Sequence, residues 1–245
     1  TRGVVAVDVT DPASPAEVAT FPDVGGPICV HTVFTETLAG QTRAYFSDCA
    51  GTFYVYDVTD PAAPIELGSY VQAPGVLVHD LYVENQRAYL DYPGIGLAVL
   101  DAQDPAHMTL AGVFADTTYN HSNWVTTLDG CKVSVVGSEG FDAHPRIVGV
   151  DEVNCPGDFL QELGAFSLRP EVSVHNIMAF GDRAFMSYYQ DGVRILDIHD
   201  PRRIQQVAYF NTWNGGPGDG FFEGALGLDV DLEHDLSAWS RTPLR

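Results

Sequence analysis

VAVDVTDPASPAEVATF (residues 5–21), YVYDVTDPAAPIELGSY (54–70), AVLDAQDPAHMTLAGVF (98–114) and RILDIHDPRRIQQVAYF (194–210) are four copies of one phrase in a single chain. A fifth, degenerate copy, GVDEVNCPGDFLQELGAF, covers residues 149–166 and carries Asn154 and Cys155 where the others have Asp-Pro. Each phrase is an apolar run, an Asp-Pro and a second apolar run. Proline fixes its own φ and biases the residue before it away from helix, so the phrase reads as strand, turn, strand. Internal repetition at this scale decides the fold before any local propensity does.

Outward from each copy the pattern continues. The segments CVHTVFTETLAGQTRAYFSD (29–48), LVHDLYVENQRAYLDY (77–92), YNHSNWVTTLDGCKVSVVGSE (119–139) and SVHNIMAFGDRAFMSYY (173–189) precede four of the phrases, and each reads as a hairpin with a short polar turn. Hairpin plus phrase gives four antiparallel strands per repeat, the content of a propeller blade. The expected fold is therefore all-β: a single β-propeller of five four-stranded blades over residues 1–245, or six if the polypeptide extends further. Blades are expected near 30–70, 78–115, 120–168 and 174–212, with a closing blade shared by residues 223–245 and 1–22.

The repeated (I/V)xDVxDPxxPxxxGxY pattern resembles the LVIVD repeat. The phrases HSNWVTTLDG (121–130), VHNIMAFGDRAFMSYYQDGVRILDIHDP (174–201) and GDGFFEGALGLDV (218–230) are similar to the secreted bacterial group called choice-of-anchor B. That resemblance implies a β-propeller at an extracellular, periplasmic or cell-surface location and carries no settled activity.

Composition narrows the partners. Asp and Glu number 33 against 12 Lys and Arg, a formal charge of −21, which repels phosphate backbones and anionic lipid. Nucleic acid is excluded as a partner, and no apolar run approaches the roughly 18 residues of a membrane-spanning helix. The four cysteines, Cys29, Cys49, Cys131 and Cys155, form no CxxC motif. Cys29 faces Cys49 across the first hairpin, and Cys131 and Cys155 share one edge of the third repeat, so two disulfides within repeats are expected, as suits a secreted protein.

One series of residues carries candidate chemistry. His31, His79, His121 and His175 open the first strand of successive repeats, in the contexts VHT, VHD, NHS and VHN. First strands line a propeller's central channel, so equivalent positions converge there. Four imidazoles at one channel mouth suit a divalent transition metal, Fe, Cu or Zn. The equivalent place in the closing repeat falls near Glu223 or Gly224, and Glu223 is taken as a further ligand candidate. Second strands return to the same rim carrying Asp48, Asp91, Glu139 and Tyr189, candidate catalytic groups that would orient imidazoles or act as general base toward a metal-bound water; Asp80 and Asn176 follow two of the histidines. A structural histidine bonded to a neighbouring carbonyl explains the repetition equally simply. His107, His144, His199 and His234 share no repeat position and read as surface or loop residues, and Asp11, Asp60, Asp104 and Asp200 read as turn residues.

No GxSxG elbow, P-loop, HExxH or CxxCH is present. The functional reading is a metal-binding propeller acting on a small molecule as an oxidoreductase or hydrolase. The alternative is a non-catalytic extracellular module holding a protein or glycan ligand. Oligomeric state is not legible.

Overall fold

The computed structural model describes residues 3–21, 29–141, 144–167, 170–215 and 222–231. The chain divides into two compact units, Thr1–Asn120 and His121–Arg245. Among the described residues it is built of antiparallel strands, and the only helical elements are the one-turn 3-10 segments Pro105–His107 and Pro201–Arg203.

In the first unit, β1 (Val5–Asp8) and β2 (Ala16–Thr20) form a two-stranded sheet. Two four-stranded sheets follow: β3 (Val30–Leu38), β4 (Gln41–Asp48), β5 (Thr52–Asp57) and β6 (Ile65–Val71), then β7 (Asp80–Glu84), β8 (Arg87–Tyr92), β9 (Gly96–Asp101) and β10 (Thr109–Ala115). The second unit repeats the design. One sheet holds β11 (Asn120–Leu128), β12 (Cys131–Ser138), β13 (Arg146–Gly149) and β14 (Glu162–Ala165), the other β15 (Ile177–Phe180), β16 (Arg183–Ser187), β17 (Val193–Asp197) and β18 (Gln205–Phe210). Every four-stranded sheet is a meander whose spatial order follows the chain. The expected closing hairpin falls for residues 232–245 outside the described residues; within 222–231 one bridge forms, Ala225 to Tyr189.

Two local devices set these strands. Ala39-Gly40, Asn85-Gln86 and Asp129-Gly130 take positive φ at both positions, the twist that suits a two-residue hairpin turn. In the repeated phrase, the carboxylate of the first Asp accepts the amide two residues on, at 2.8 Å for Asp8–Thr10, Asp57–Thr59 and Asp151–Val153 and 3.0 Å for Asp101–Gln103 and Asp197–His199. The Asp of the Asp-Pro pair does the same: Asp11, Asp60, Asp104 and Asp200 accept from residues 13, 62, 106 and 202 at 3.0–3.1 Å. These are the turn roles expected for that aspartate. The degenerate copy replaces its missing Asp-Pro with a second amide bond from Asn154 to Asp151 (3.0 Å) and with the Cys131–Cys155 disulfide.

Within each unit the sheets pack through runs buried on both faces. Leu90, Ala98, Leu100, Val55 and Tyr45 share one cluster in the first unit; Val133, Val135, Ile147, Met186 and Leu196 share one in the second. Close approach at the outer strand is set by glycine. A Cβ on Gly68 would lie 1.9 Å from the Pro105 carbonyl oxygen, and one on Gly164 would lie 1.7 Å from that of Pro201. The Asp-Pro turn of one sheet thus rests on the outer strand of the sheet before it. Both expected disulfides form, Cys29–Cys49 and Cys131–Cys155, with Cα atoms 5.3 and 4.6 Å apart.

Candidate histidine site

In the first unit the rings of His31 and His79 lie 4.1 Å apart between centroids and are tilted by 48°. His31 is exposed on β3 while His79, just ahead of β7, is 8% exposed. The Thr32 hydroxyl donates to the Asp80 carboxylate at 3.0 Å, tying β3 to β7 beside the pair. The His79 backbone amide donates to the Asp91 carbonyl at 2.8 Å, and Tyr119 meets the His79 ring edge-on at 5.5 Å.

In the second unit His121 and His175 repeat that geometry, with centroids 4.3 Å apart and a 52° tilt. The surroundings are richer. His121 is 2% exposed, and its Nε2 stands 3.9 Å from a Glu139 carboxylate oxygen. Tyr189 donates its hydroxyl to Glu139 and packs edge-on against His175 at 5.1 Å. His175 Nδ1 lies 2.9 Å from the Leu226 carbonyl oxygen. A carbonyl only accepts, so Nδ1 carries the proton, which leaves Nε2 as the nitrogen a metal would take. The Ser187 hydroxyl donates to the same carbonyl, and Ser122 donates to the His175 carbonyl at 2.6 Å. Next to Tyr189, burial pushes the Tyr188 hydroxyl up, an effect the Arg194 guanidinium partly offsets.

The four candidate catalytic residues do not share one register position. Asp91 accepts the amide of His79 through its carbonyl as Ser187 does for His175, both at 2.8 Å, so Asp91 is the counterpart of Ser187. Its carboxylate, fully buried, accepts from the Asn120 side-chain amide at 2.7 Å. Asp48 is committed to its own turn, accepting from the amides of Ala50 (2.9 Å) and Thr52 (2.8 Å) and from the Tyr54 hydroxyl (3.1 Å). Glu139 and Tyr189, bonded to each other, are the two that stand among histidines. Asn176 bonds through its backbone to Ser187. Glu223 is exposed, two residues before the bridge at Ala225.

The remaining histidines are scattered. His107 and His199 are exposed, His144 is half-buried, and His234 lies outside the described residues. A cleft of about 800 Å³ in the second unit is lined by Asp129, Asp182, Asp197, Asp200 and Arg202, at the end of β15 far from His175. Sequence reasoning missed Ser122, Ser187 and the Leu226 carbonyl, since a serine or main-chain oxygen leaves no distinctive pattern. It named Glu139 as a candidate catalytic group beside the imidazoles, and its carboxylate and His121 offer ligand atoms within 4.8 Å of each other.

No curated protein matches the chain significantly. The LVIVD repeat matches it over residues 1–23 and 44–72. Those two segments hold β1–β2, the second half of β4 and β5–β6 with their Asp-Pro turns, and include no histidine of the series. Over those two segments the chain carries the LVIVD repeat, and the same turn bonding recurs in its other copies of the phrase.

Proposed function

We propose that the chain is an extracellular five-bladed β-propeller whose first-strand histidines, the pair His31–His79 in one unit and the pair His121–His175 in the other, supply ligands for a divalent transition metal, with Glu139 as the carboxylate adjoining the second pair. The observation that carries this reading is the recurrence of one ring geometry, 4.1 Å and 48° in one unit and 4.3 Å and 52° in the other. Imidazoles from consecutive repeats meet in the same way twice, as channel-lining positions of a propeller must. The sequential meanders support the blade reading, and the protonated Nδ1 of His175 leaves Nε2 for a metal. Two disulfides suit an oxidising compartment, and no described helix is long and apolar enough to cross a membrane.

The chemistry such a site performs is hydrolysis or oxidation of a small molecule. A bound metal would supply Lewis-acid activation of a water or of the substrate, and Glu139, held by the Tyr189 hydroxyl, would be the carboxylate placed to take or return a proton. A non-catalytic binding module is the second reading. It is favoured by apolar side chains standing open on outer strands, Ile65 at 62% and Phe210 at 71% exposure.

Protein purified without a histidine tag, equilibrated with Zn²⁺, Co²⁺ or Cu²⁺ and desalted, is expected to retain about one ion per chain by elemental analysis. The His121→Ala, His175→Ala double variant is expected to retain none while melting cooperatively. Wild-type protein that retains no ion removes the metal reading and leaves the binding module.

A further inference from the structure

We infer that the histidine series has a fifth member position, that Gly227 occupies it, and that a small exogenous ligand, water or a monodentate anion, reaches the metal past Gly227 beside His175. This rests on the metal reading above; the register beneath it does not.

The register follows from one contact repeated along the chain. The residue on each second strand at the position of Asp91 and Ser187 reaches the residue just before the next histidine. Ser47 donates to the carbonyl of Val78, before His79, at 3.0 Å. Asp91 accepts from the side chain of Asn120, before His121, at 2.7 Å. In the third sheet the position is Gly137, which has no side chain to make the contact but lies in the same place: a Cβ there would stand 2.7 Å from Ile177 and 3.0 Å from Val174, the residue before His175. Ser187 completes the series by donating to the carbonyl of Leu226. The residue after Leu226 is Gly227.

A second set of contacts follows the same path. Residues just beyond that position bond the segment leading into the next histidine: Gly75 amide to Ala50 carbonyl at 2.7 Å, Gly94 amide to Thr118 carbonyl at 2.8 Å, and Gly140 amide to Ser173 hydroxyl at 2.9 Å. In the fourth sheet Tyr189 and Ala225 exchange both backbone bonds, at 2.9 and 3.0 Å. The segment at 225–227 therefore enters as 75–79, 118–121 and 173–175 do. Glu223 is displaced from the histidine position by four residues.

Nothing in the backbone demands glycine there. Gly227 is not among the residues with positive φ, and a Cβ on it would meet no atom within 4 Å. Four positions present an imidazole and the fifth presents only hydrogen, next to a histidine whose tautomer is fixed by the preceding carbonyl. An open position of this kind separates a reactive metal site from a closed structural one.

The test uses the whole chain loaded with Co²⁺, whose visible absorption reports added ligands, with azide as the probe anion. Wild type and Gly227→Ala are expected to bind Co²⁺ and shift their spectra with azide. Gly227→His is expected to hold Co²⁺ about tenfold more tightly and to lose the azide shift. An azide shift that survives in Gly227→His overturns the access route while leaving the metal reading intact; wild type that binds no Co²⁺ overturns both. The register is tested without metal by a crystal structure of Gly227→His. The new imidazole is expected in ring contact with His175, at the roughly 4 Å centroid spacing of the two natural pairs. A ring turned to solvent, away from His175, overturns it.

Discussion

The pair His31–His79 and the pair His121–His175 share their ring geometry and almost nothing around it. Beside the first, Asp48 is spent on its turn and Asp80 on Thr32, and one imidazole is exposed. Beside the second, His121 is buried against Glu139, Tyr189 holds that carboxylate, and the Leu226 carbonyl fixes His175. Repetition has kept the backbone register that brings the rings together while the polar shell diverged. The second pair is where a charge on a bound ion is best compensated.

The largest expected effects test what the two units have in common. Gly68→Ala and Gly164→Ala each drive a Cβ onto a proline carbonyl, and backbone cannot yield as a side chain can. Each is expected to cost about 4 kcal/mol in urea unfolding. A loss below about 1 kcal/mol at either site would break the equivalence of the two packings. Next come the disulfides. Removing Cys29–Cys49 or Cys131–Cys155, which close loops with separations of 20 and 24, is expected to cost about 3 kcal/mol each by the loop-entropy argument. The second also replaces an Asp-Pro turn, so its loss should raise proteolysis at residues 151–161 first.

Metal binding then separates the pairs. His121→Ala is expected to weaken Zn²⁺ affinity at least 100-fold by titration calorimetry, and His31→Ala by about tenfold. Equal losses would erase the asymmetry. Tyr189→Phe, which frees Glu139 from its hydroxyl, is expected to cost about tenfold in the same titration. The smallest effect is acid sensitivity shared by both units. Asp8, Asp57, Asp104 and Asp200 are held below the usual carboxylate range, by Thr10, by Thr59, by His107 and by the Arg202 amide respectively. Asp151 is drawn down to about 2 by Asn154. A depressed folded pKa contributes stability that is complete above the unfolded value near 3.9 and is lost as pH falls toward the folded one. Urea midpoints should hold level from about pH 7 to 5 and drop between about pH 4 and 2.5; a level midpoint down to about pH 2.5 would contradict the role given to these turns.

Much of the fold was legible because its signals are local. The Asp-Pro phrase states strand, turn and strand in adjacent residues, and the structure returns the same two carboxylate–amide bonds in four copies. The Cys29–Cys49 disulfide followed from hairpin geometry and Cys131–Cys155 from the edge those two residues share in the third repeat. The histidine series was legible as a repeat, but its surroundings were not. Asp48 looked like Glu139 in the sequence, and only the turn amides at 50 and 52 show that its oxygens are engaged elsewhere. Gly227 was missed because glycine carries no chemistry to align. Its position emerges from Ser187 reaching Leu226, a side-chain-to-carbonyl bond no sequence pattern records.

The central claim is that imidazoles of successive repeats hold an ion. Anomalous diffraction at the metal edge, from crystals of untagged protein grown with Co²⁺ or Zn²⁺, tests it most directly. The account predicts one peak about 2.0–2.2 Å from the Nε2 atoms of His121 and His175 with Glu139 oxygen beside it. A crystal with no peak there, and with those nitrogens bonded only to main-chain oxygen, would contradict it.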